Sequence, residues 1–294
     1  MSPPARHGPE ADGPGQAADS AQALAASGLS PKGECWPAQH DGTALSLRWL
    51  DAGDGALTIE FGDVIAPHLV ARVAALDKVL AAARARGELP GVVETMPTLR
   101  SLTLLYDPLQ TSRAMLDPAL KALLLRADPA QAVQAAAQGR RWRLPVCYGG
   151  EFGADLADVA SAAGLSPDAV LQLHADTVFS VYMIGFMPGF PFLGDLPLAL
   201  HMPRRREPRL RVPAGSVAIT GSLTAIYPWR SPGGWQLIGR CPVPLFDAAA
   251  ATPSLLTPGD TVRFEAVEAP RLAELEAAIS AGELGPQAWL ERVP

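Results

Sequence analysis

The sequence predicts an α+β protein of two domains, a small α/β N-terminal domain followed by a mostly β domain that closes into a barrel or a sandwich. Three observations lead to this prediction. Residues 45–137 mix β-type alternation with helix-type periodicity, the composition changes across Gln138–Arg143, and many short β-type runs separated by Gly and Pro follow Thr177. The 294 residues are enough to bury two cores. We expect an N-terminal extension at 1–40, the α/β domain at 41–140, the barrel domain at 141–268, and a C-terminal helix and tail at 269–294.

The N-terminal domain follows an extension, 1–40, that we expect to be disordered because it has almost no large apolar side chains to offset the entropy of ordering. From Leu45, LSLRWL and ALTIEFG alternate apolar and polar residues around the turn Asp54-Gly55, which predicts a hairpin. Helical spacing predicts a helix from Pro67 that stops at Gly87. Two strands, 91–96 and 99–106, and two helices opened by Asp117-Pro118 and Asp128-Pro129 complete a sheet with helices on one face.

The second domain is predicted to begin with the strand Leu144–Tyr148 and two short helices, the second with Ser166 as its N-cap. The predicted helices are Ala154–Ala163 and Pro167–His174, and the strands that follow are Val178–Phe186, Ser216–Thr220, Leu223–Tyr227, Trp235–Cys241 and Thr261–Val267. Many short strands of this kind are typical of a closed β structure. An amphipathic helix from about Pro270 is expected to end the chain.

Composition argues against several function classes. A formal net charge of -6 provides no sequence-wide basic footprint, so we expect neither nucleic acid nor an anionic membrane as a general partner. Cys35, Cys147 and Cys241 lack CxxC spacing, which argues against a disulfide framework or a structural zinc site; we expect no metal and a cytoplasmic location. No secretory signal or membrane-length apolar run is visible. GxxxxGK[ST], GxGxxG, GxSxG and a biotin-carrying Met-Lys-Met are all absent.

Two residues could act as a general acid or base. His174 falls at the end of a predicted helix, where it could transfer protons or, alternatively, stabilise the helix C-terminus. Glu151 lies in the loop YGGEFG, where a carboxylate could take part in acid-base chemistry or hold a cation. Alternatively, Glu151 caps the helix that begins near Ala154. The sequence leaves both alternatives open.

Rigid loops of Gly and Pro supply candidate binding residues. Pro188, Gly189 and Phe190 belong to the loop PGFPF, whose aromatic faces could form the wall of a pocket or plug the end of the core. Arg204 and Arg209 each adjoin a proline in an arginine-rich run, where a planar guanidinium could bind a carboxylate or a phosphate. A solvated charged face is the alternative for this run.

Two further bends offer hydroxyls and backbone amides to the oxygens of a ligand. Their candidate residues are Gly215, Ser216, Tyr227, Ser231, Gly233 and Gly234. Each bend leads into a predicted strand, so an ordinary turn is the alternative. A nucleophilic serine would also need a positioned base, which the sequence does not identify.

Four segments together resemble one bacterial family. They are LPVCYGGEFGADL at 144–156, VYMIGFMPGFPFLG at 181–194, PRR with PRLRVPAGSVAITG between 203 and 221, and YPWRSPGGWQLIGR at 227–240. The family contains the B subunit of the ATP-dependent 5-oxoprolinase and the sporulation kinase inhibitor KipI, is also named allophanate hydrolase subunit 1, and corresponds to carboxyltransferase subdomains C and D. The resemblance is dense over the second domain and looser over the first, from about Leu45.

The resemblance implies a small α/β domain followed by a cyclophilin-like β-barrel. It implies a component, inactive alone, that works with two partners to open 5-oxo-L-proline to L-glutamate while the complex hydrolyses ATP. These partners are the A subunit and the similarly barrelled C subunit of the 5-oxoprolinase; any biotin would arrive on another protein. The roles expected from the resemblance are proton transfer for His174, anion binding for Arg204 and Arg209, and oxyanion contact for the amides near Gly189, Gly215 and Gly233-Gly234. The alternatives are a KipI-like inhibitor of a histidine kinase and a carboxyltransferase-type component that acts on a urea-like substrate.

Overall fold

The computed structural model of the protein describes residues 34–36 and 45–291. Its N-terminal domain contains the strands β1 (Glu34–Trp36), β2 (Leu45–Asp51), β3 (Ala56–Glu60), β4 (Val92–Pro97) and β5 (Ser101–Tyr106). They form one antiparallel sheet in the order β1-β2-β3-β5-β4, which confirms the predicted hairpin and the two later strands. Strand β1 lies inside the range predicted to be disordered, and the rest of that extension lies outside the described residues.

Three helices cover one face of this sheet, the first packed directly on its strands and the other two packed on the first. They are α1 (Pro67–Ala85), α2 (Arg113–Arg126) and α3 (Pro129–Ala136). Leu57 of β3, Leu76 of α1 and Leu120 of α2 are each 0% exposed in the core of this domain. The predicted start of α1 at proline is confirmed, and Gly87 follows its end with a φ of 72°, a conformation that glycine adopts without strain.

The predicted start of α2 at Asp117-Pro118 is wrong. The helix begins at Arg113, the side chain of Ser112 accepts a hydrogen bond from the Met115 amide as its N-cap, and Pro118 lies inside the helix. The earlier start places Leu116 on the same buried stripe as Leu120, because residues four apart share one face of a helix. Core packing therefore outweighs the local preference of proline for the first turn.

The second domain is a closed barrel with helices outside it. Its strands are β6 (Arg141–Tyr148), β7 (Val178–Ile184), β8 (Pro191–Leu193), β9 (Arg209–Val212), β10 (Ser216–Thr220), β11 (Leu223–Ile226), β12 (Ser231–Gly233), β13 (Gln236–Arg240) and β14 (Thr261–Ala266). Its helices are α4 (Leu156–Ala163), α5 (Pro167–Asp176) and α6 (Ala269–Ser280). Seven strands close the barrel in the order β10-β11-β8-β7-β14-β6-β13, with β14 and β6 parallel. Strands β9 and β12 form a separate two-stranded ribbon.

The barrel prediction is confirmed, and so is the N-cap of α5, because the Ser166 hydroxyl accepts a hydrogen bond from the Ala169 amide at 3.1 Å. Strands β8, β9 and β12 were missed. They span only three or four residues, and two of them contain proline, so neither alternation nor propensity distinguishes them from loops.

The two domains join through a tight backbone contact. A Cβ atom added at Gly139 would lie 2.0 Å from the Gly259 carbonyl oxygen, so only glycine fits between the end of the helical segment and the barrel. Among the described residues, Cys147 and Cys241 are buried free thiols. No helix within residues 45–291 is long and apolar enough to cross a membrane.

Candidate functional site

A buried carboxylate that the sequence analysis missed organises the arginine-rich segment. Asp155 is 2% exposed. Its oxygens accept hydrogen bonds from Arg205 Nη1 at 2.8 Å, from Arg209 Nη1 and Nη2 at 2.9 and 2.7 Å, and from the Leu237 amide at 2.7 Å. Arg209 was predicted to bind a ligand anion, but its guanidinium fork already grips this carboxylate. The cluster therefore fixes the segment that runs from Arg205 to Arg209 against strand β13.

The glycine-rich loop before α4 explains how Asp155 reaches strand β13. A Cβ at Gly153 would lie 2.3 Å from the Ile238 carbonyl oxygen, so this loop approaches the strand more closely than any side chain permits. The Asp155 amide also donates to Leu237 O at 2.9 Å. Asp155 occupies the N-cap position of α4 without capping it, because its side chain is turned toward the two arginines.

Arg204 is the arginine of the predicted pair that remains available to a ligand. Its side chain is exposed and makes no ion pair among the described residues, whereas its neighbour Arg205 is paired with Asp155. Arg204 acts electrostatically on the buried phenol of Tyr227. Burial raises the pKa of the Tyr227 phenol, and the positive charges of Arg204 and Arg209 oppose that rise. Tyr227 itself is 2% exposed, so the exposed guanidinium of Arg204 is the group of this pair that can bind a carboxylate.

Gly233 permits the close approach of Tyr227 in this cluster. A Cβ at Gly233 would lie 2.5 Å from the Tyr227 hydroxyl oxygen, so the glycine leaves room for that phenol. Gly234 binds the arginine segment through its carbonyl, which accepts a hydrogen bond from the Arg205 amide at 2.7 Å. The structure thus brings Arg204, Arg209, Tyr227 and both glycines together, although they come from separate sequence motifs.

Gly215 and Ser216, which were predicted to contact a ligand, stabilise the fold instead. The Gly215 amide donates to the Tyr227 carbonyl at 2.7 Å, so it is not open to a ligand oxygen, and Ser216 is 4% exposed. Gly215 has a φ of 80°, and a Cβ there would lie 2.4 Å from the Cys241 carbonyl oxygen. This bend is therefore a tight turn, which is the alternative that the sequence left open. The Ser231 hydroxyl lies on the ribbon and donates to Pro232 O at 3.2 Å.

The loop from Pro188 to Phe190 plugs the core. Phe190 is 1% exposed and meets the rings of Phe192, Tyr227 and Trp235 at centroid distances of 5.0, 5.1 and 5.8 Å. Gly189 has a φ of 76°, and a Cβ there would collide with the backbone at Leu245. Pro188 is exposed, and its carbonyl accepts a hydrogen bond from the Trp229 indole at 3.2 Å. The aromatic residue thus takes the role of the plug rather than of a pocket wall.

His174 lies in the barrel core with both ring nitrogens bonded. It is 0% exposed, Nδ1 lies 2.8 Å from the Tyr148 hydroxyl, and Nε2 lies 2.9 Å from the Thr224 hydroxyl. The Thr224 hydroxyl also bonds to Ala218 O at 3.1 Å, so it donates there and accepts from Nε2–H. Nδ1 must then accept the proton of Tyr148, which assigns a neutral Nε2–H imidazole.

Burial lowers the pKa of His174 to about 3, because desolvation disfavours the charged imidazolium. The ring also stacks on Phe264 at a centroid distance of 4.8 Å. A substrate has no path to a ring that is 0% exposed, so the geometry favours a structural histidine over the expected proton transfer. His174 does not cap the helix either, because both ring nitrogens bond to side-chain hydroxyls and not to the last carbonyls of α5.

Glu151 is exposed in the glycine-rich loop before α4. It is not the N-cap of α4, a position that Asp155 occupies. Within the described part of the chain, no group of three or more His, Cys, Asp or Glu side chains is arranged to hold a metal ion. Two cavities, of about 440 and 380 Å³, lie beside α6 and are lined by none of the predicted site residues. Within the arginine and tyrosine cluster, Arg204 is exposed whereas Tyr227 is buried.

The sheet-and-helix layer and the closed seven-stranded barrel define a two-domain protein with a cyclophilin-like barrel. The family model "Carboxyltransferase domain, subdomain C and D" matches residues 47–256, and the chain belongs to that family. It is 45% identical over 177 residues to the B subunit of 5-oxoprolinase from Escherichia coli O157:H7, covering 60% of this chain and 79% of that one. It is 39% identical over 218 residues to the B subunit of 5-oxoprolinase from Bacillus subtilis (strain 168), covering 72% and 89%.

Solved structures give the same fold. The crystal structure of TTHA0988 is 40% identical, with a TM-score of 0.61, over 74% of this chain and 40% of that chain. The present chain therefore spans less than half the length of TTHA0988. The Kluyveromyces lactis urea carboxylase is 20% identical, with a TM-score of 0.69, over 87% of this chain and 24% of that chain. At that identity the likeness shows the fold alone.

Proposed function

We propose that this chain is the B subunit of an ATP-dependent 5-oxoprolinase and acts with the A and C subunits of that enzyme to open 5-oxo-L-proline to L-glutamate. The observation that supports this most directly is the 45% identity over 79% of a chain named as the B subunit of 5-oxoprolinase. The exposed guanidinium of Arg204 fits the proposal, because 5-oxo-L-proline carries one carboxylate that a guanidinium can bind.

The chemistry explains why a complex and ATP are needed. A planar lactam is a poor electrophile, and its activation by phosphorylation makes ring opening by water feasible; the negative charge that develops must then be stabilised by fixed donors. The full sequence has no GxxxxGK[ST] loop, and in this part of the barrel the guanidinium of Arg209 is taken by Asp155. We therefore assign the use of ATP to the assembled complex. This chain would be inactive alone and would contribute to holding the substrate.

The test is ATP-dependent glutamate release from 5-oxo-L-proline, measured for the chain alone, with the C subunit, and with the A and C subunits together. We expect turnover only in the complete mixture. A control mixture replaces this chain with an established B subunit, which shows that the two partners are competent. If the control turns over and the mixture with this chain does not, the proposed function is wrong.

The Arg204→Ala substitution should raise the KM for 5-oxo-L-proline by roughly 10- to 100-fold in the complete mixture, because a hydrogen bond to a charged group contributes about 1.5–3 kcal/mol. The kcat should change much less if the guanidinium binds substrate and transition state equally. The measurement is steady-state kinetics at saturating ATP.

The matched control for Arg204 is Arg206→Ala, which removes the same side chain from another exposed position two residues along. We expect wild-type KM from this variant, and Arg204→Lys should recover part of the loss because it keeps the charge without the planar fork. If Arg204→Ala leaves the KM for 5-oxo-L-proline unchanged, Arg204 does not bind the substrate.

A second candidate function is a regulatory protein that acts by contact, as the resemblance to KipI suggests. The observation in its favour is the exposure of large aromatic side chains on the barrel, with Phe186 at 69% and Trp229 at 49%. A contact regulator would bind its target through such residues without turnover. This function would be favoured over the first if the unmodified chain bound a histidine kinase and gave no turnover with A and C subunits that are active alongside an established B subunit.

A further inference from the structure

The backbone on both sides of Arg204 is hydrogen-bonded to the chain at the start of strand β13. The Gln236 side chain donates from Nε2 to the Pro203 carbonyl oxygen at 3.0 Å. The Arg205 amide donates to the Gly234 carbonyl oxygen at 2.7 Å. Arg204 therefore has one hydrogen bond on either side of it, and both lead to the same short stretch of chain.

These two hydrogen bonds fix the direction in which the Arg204 side chain leaves the backbone. The Pro203 carbonyl belongs to the planar peptide group before the Arg204 Cα atom, and the Arg205 amide belongs to the peptide group after it. The angles φ and ψ of Arg204 describe the rotation of these two groups about that atom. Since both groups are bonded, φ and ψ are fixed, and so is the orientation of the Cα–Cβ bond.

The chain before Arg204 is rigid as well. Met202 pairs with Gly221, whose amide donates to the Met202 carbonyl at 2.6 Å. The Thr220 hydroxyl donates to the same carbonyl at 3.3 Å. The ring of Pro203 fixes the φ of the next residue. The segment that leads to Arg204 therefore has little freedom of its own.

The side chain of Arg204 differs from the arginines that follow it. Arg205 and Arg209 pair with Asp155, whereas Arg204 is exposed and makes no ion pair within the described part of the chain. Ordering a group before its ligand arrives reduces the entropy that is lost on binding. A fixed backbone that carries an unpaired guanidinium is therefore well suited to binding an anion.

We propose that Gln236 is a positioning residue for the substrate carboxylate, because its amide holds the peptide group before Arg204 in the conformation that binds. This inference rests on the proposed function, in which Arg204 binds 5-oxo-L-proline. Of the two hydrogen bonds that flank Arg204, the one from Gln236 uses a side chain and can be removed by substitution. Gln236 is half-buried at the first position of β13, which pairs with β10.

The test compares Gln236→Met with the wild type in the complete mixture with the A and C subunits, by steady-state kinetics at saturating ATP. Methionine has a similar length but no donor. We expect the KM for 5-oxo-L-proline to rise by about 3- to 10-fold, and the kcat to stay close to that of the wild type. The rise should be smaller than for Arg204→Ala, because the guanidinium and the Gly234 hydrogen bond remain.

The double variant Arg204→Ala/Gln236→Met distinguishes positioning from direct contact with the substrate. If Gln236 acts through Arg204, its substitution has no further effect once the guanidinium is absent. The double variant should then have the KM of Arg204→Ala within about 2-fold. If Gln236→Met raises the KM by the same factor with and without Arg204, Gln236 contacts the substrate itself and the positioning role is wrong.

The matched control is Gln110→Met in the N-terminal domain. The exposed Gln110 side chain donates from Nε2 to Asp107 at 2.7 Å, so this variant loses a similar hydrogen bond and should retain the wild-type KM. A loss of folded protein lowers the apparent kcat without changing the KM. A wild-type KM for Gln236→Met, at any kcat, therefore overturns the positioning role and leaves the proposed function standing. If the wild-type mixture gives no turnover while an established B subunit does, both proposals are wrong.

Discussion

Replacing Asp155 with Ala is expected to lower the free energy of unfolding by about 3 kcal/mol, because the substitution leaves two partly buried guanidinium groups and one buried amide without their acceptor. Asp155 is 2% exposed and accepts from Arg205, Arg209 and the Leu237 amide. The measurement is urea unfolding monitored by tryptophan fluorescence, to which the buried Trp235 of the barrel domain contributes. A loss of this size should also lower the Tm by roughly 6–12 °C in a domain of about 150 residues.

An exposed ion pair gives the matched control for Asp155. Asp176 has a side chain that is 78% exposed and lies 3.4 Å from Arg263, so Asp176→Ala should cost less than about 1 kcal/mol. If Asp155→Ala costs no more than Asp176→Ala, the carboxylate does not organise the arginine segment. The loss of unfolding free energy for Asp155→Asn should lie between those of Asp155→Ala and Asp176→Ala, since the amide oxygen still accepts hydrogen bonds but the charge is lost.

The sequence predicts the barrel well because its long strands and helices have local signals. Strands β6 and β14 and helix α5 follow from alternation, length and a serine cap, none of which depends on distant residues. The start of α2 could not be predicted in the same way. Its position is decided by Leu116 reaching the buried stripe of the N-terminal core, which outweighs the proline signal at Pro118.

The candidate site is harder to predict because its partners are far apart in the sequence. Asp155 and Arg209 are 54 positions apart, and an acid before a helix is most simply interpreted as a cap. The only local signal was the crowding of glycine before Asp155, which indicates a close backbone approach without naming the strand approached. For His174 the helix-end position suggested proton transfer or stabilisation of the helix C-terminus, whereas packing against residues distant in the sequence buries the ring.

This burial of His174 should make the barrel sensitive to acid. The pKa is about 3 in the folded protein and about 6.5 in the unfolded chain, so the unfolded state binds more protons between these values. The stability that the neutral imidazole contributes is complete above pH 6.5 and is lost as the pH falls toward 3. From pH 7.5 to pH 4.5 we expect a decrease of about 3 kcal/mol in the free energy of unfolding from this residue. The measurement is urea unfolding across that pH range.

Carboxylates also lose stabilising charge in acid, so the contribution of His174 is the difference between the wild type and His174→Phe. The variant leaves Tyr148 without its acceptor and should be less stable at pH 7.5, yet its stability should fall less steeply below pH 6.5 because no buried imidazole must be protonated. His68→Asn removes an exposed histidine from α1 and should retain the wild-type slope. Equal slopes for His174→Phe and the wild type would mean that the ring is protonated at the same pH in the folded and unfolded chains, which its two hydroxyl partners and its stacking on Phe264 argue against.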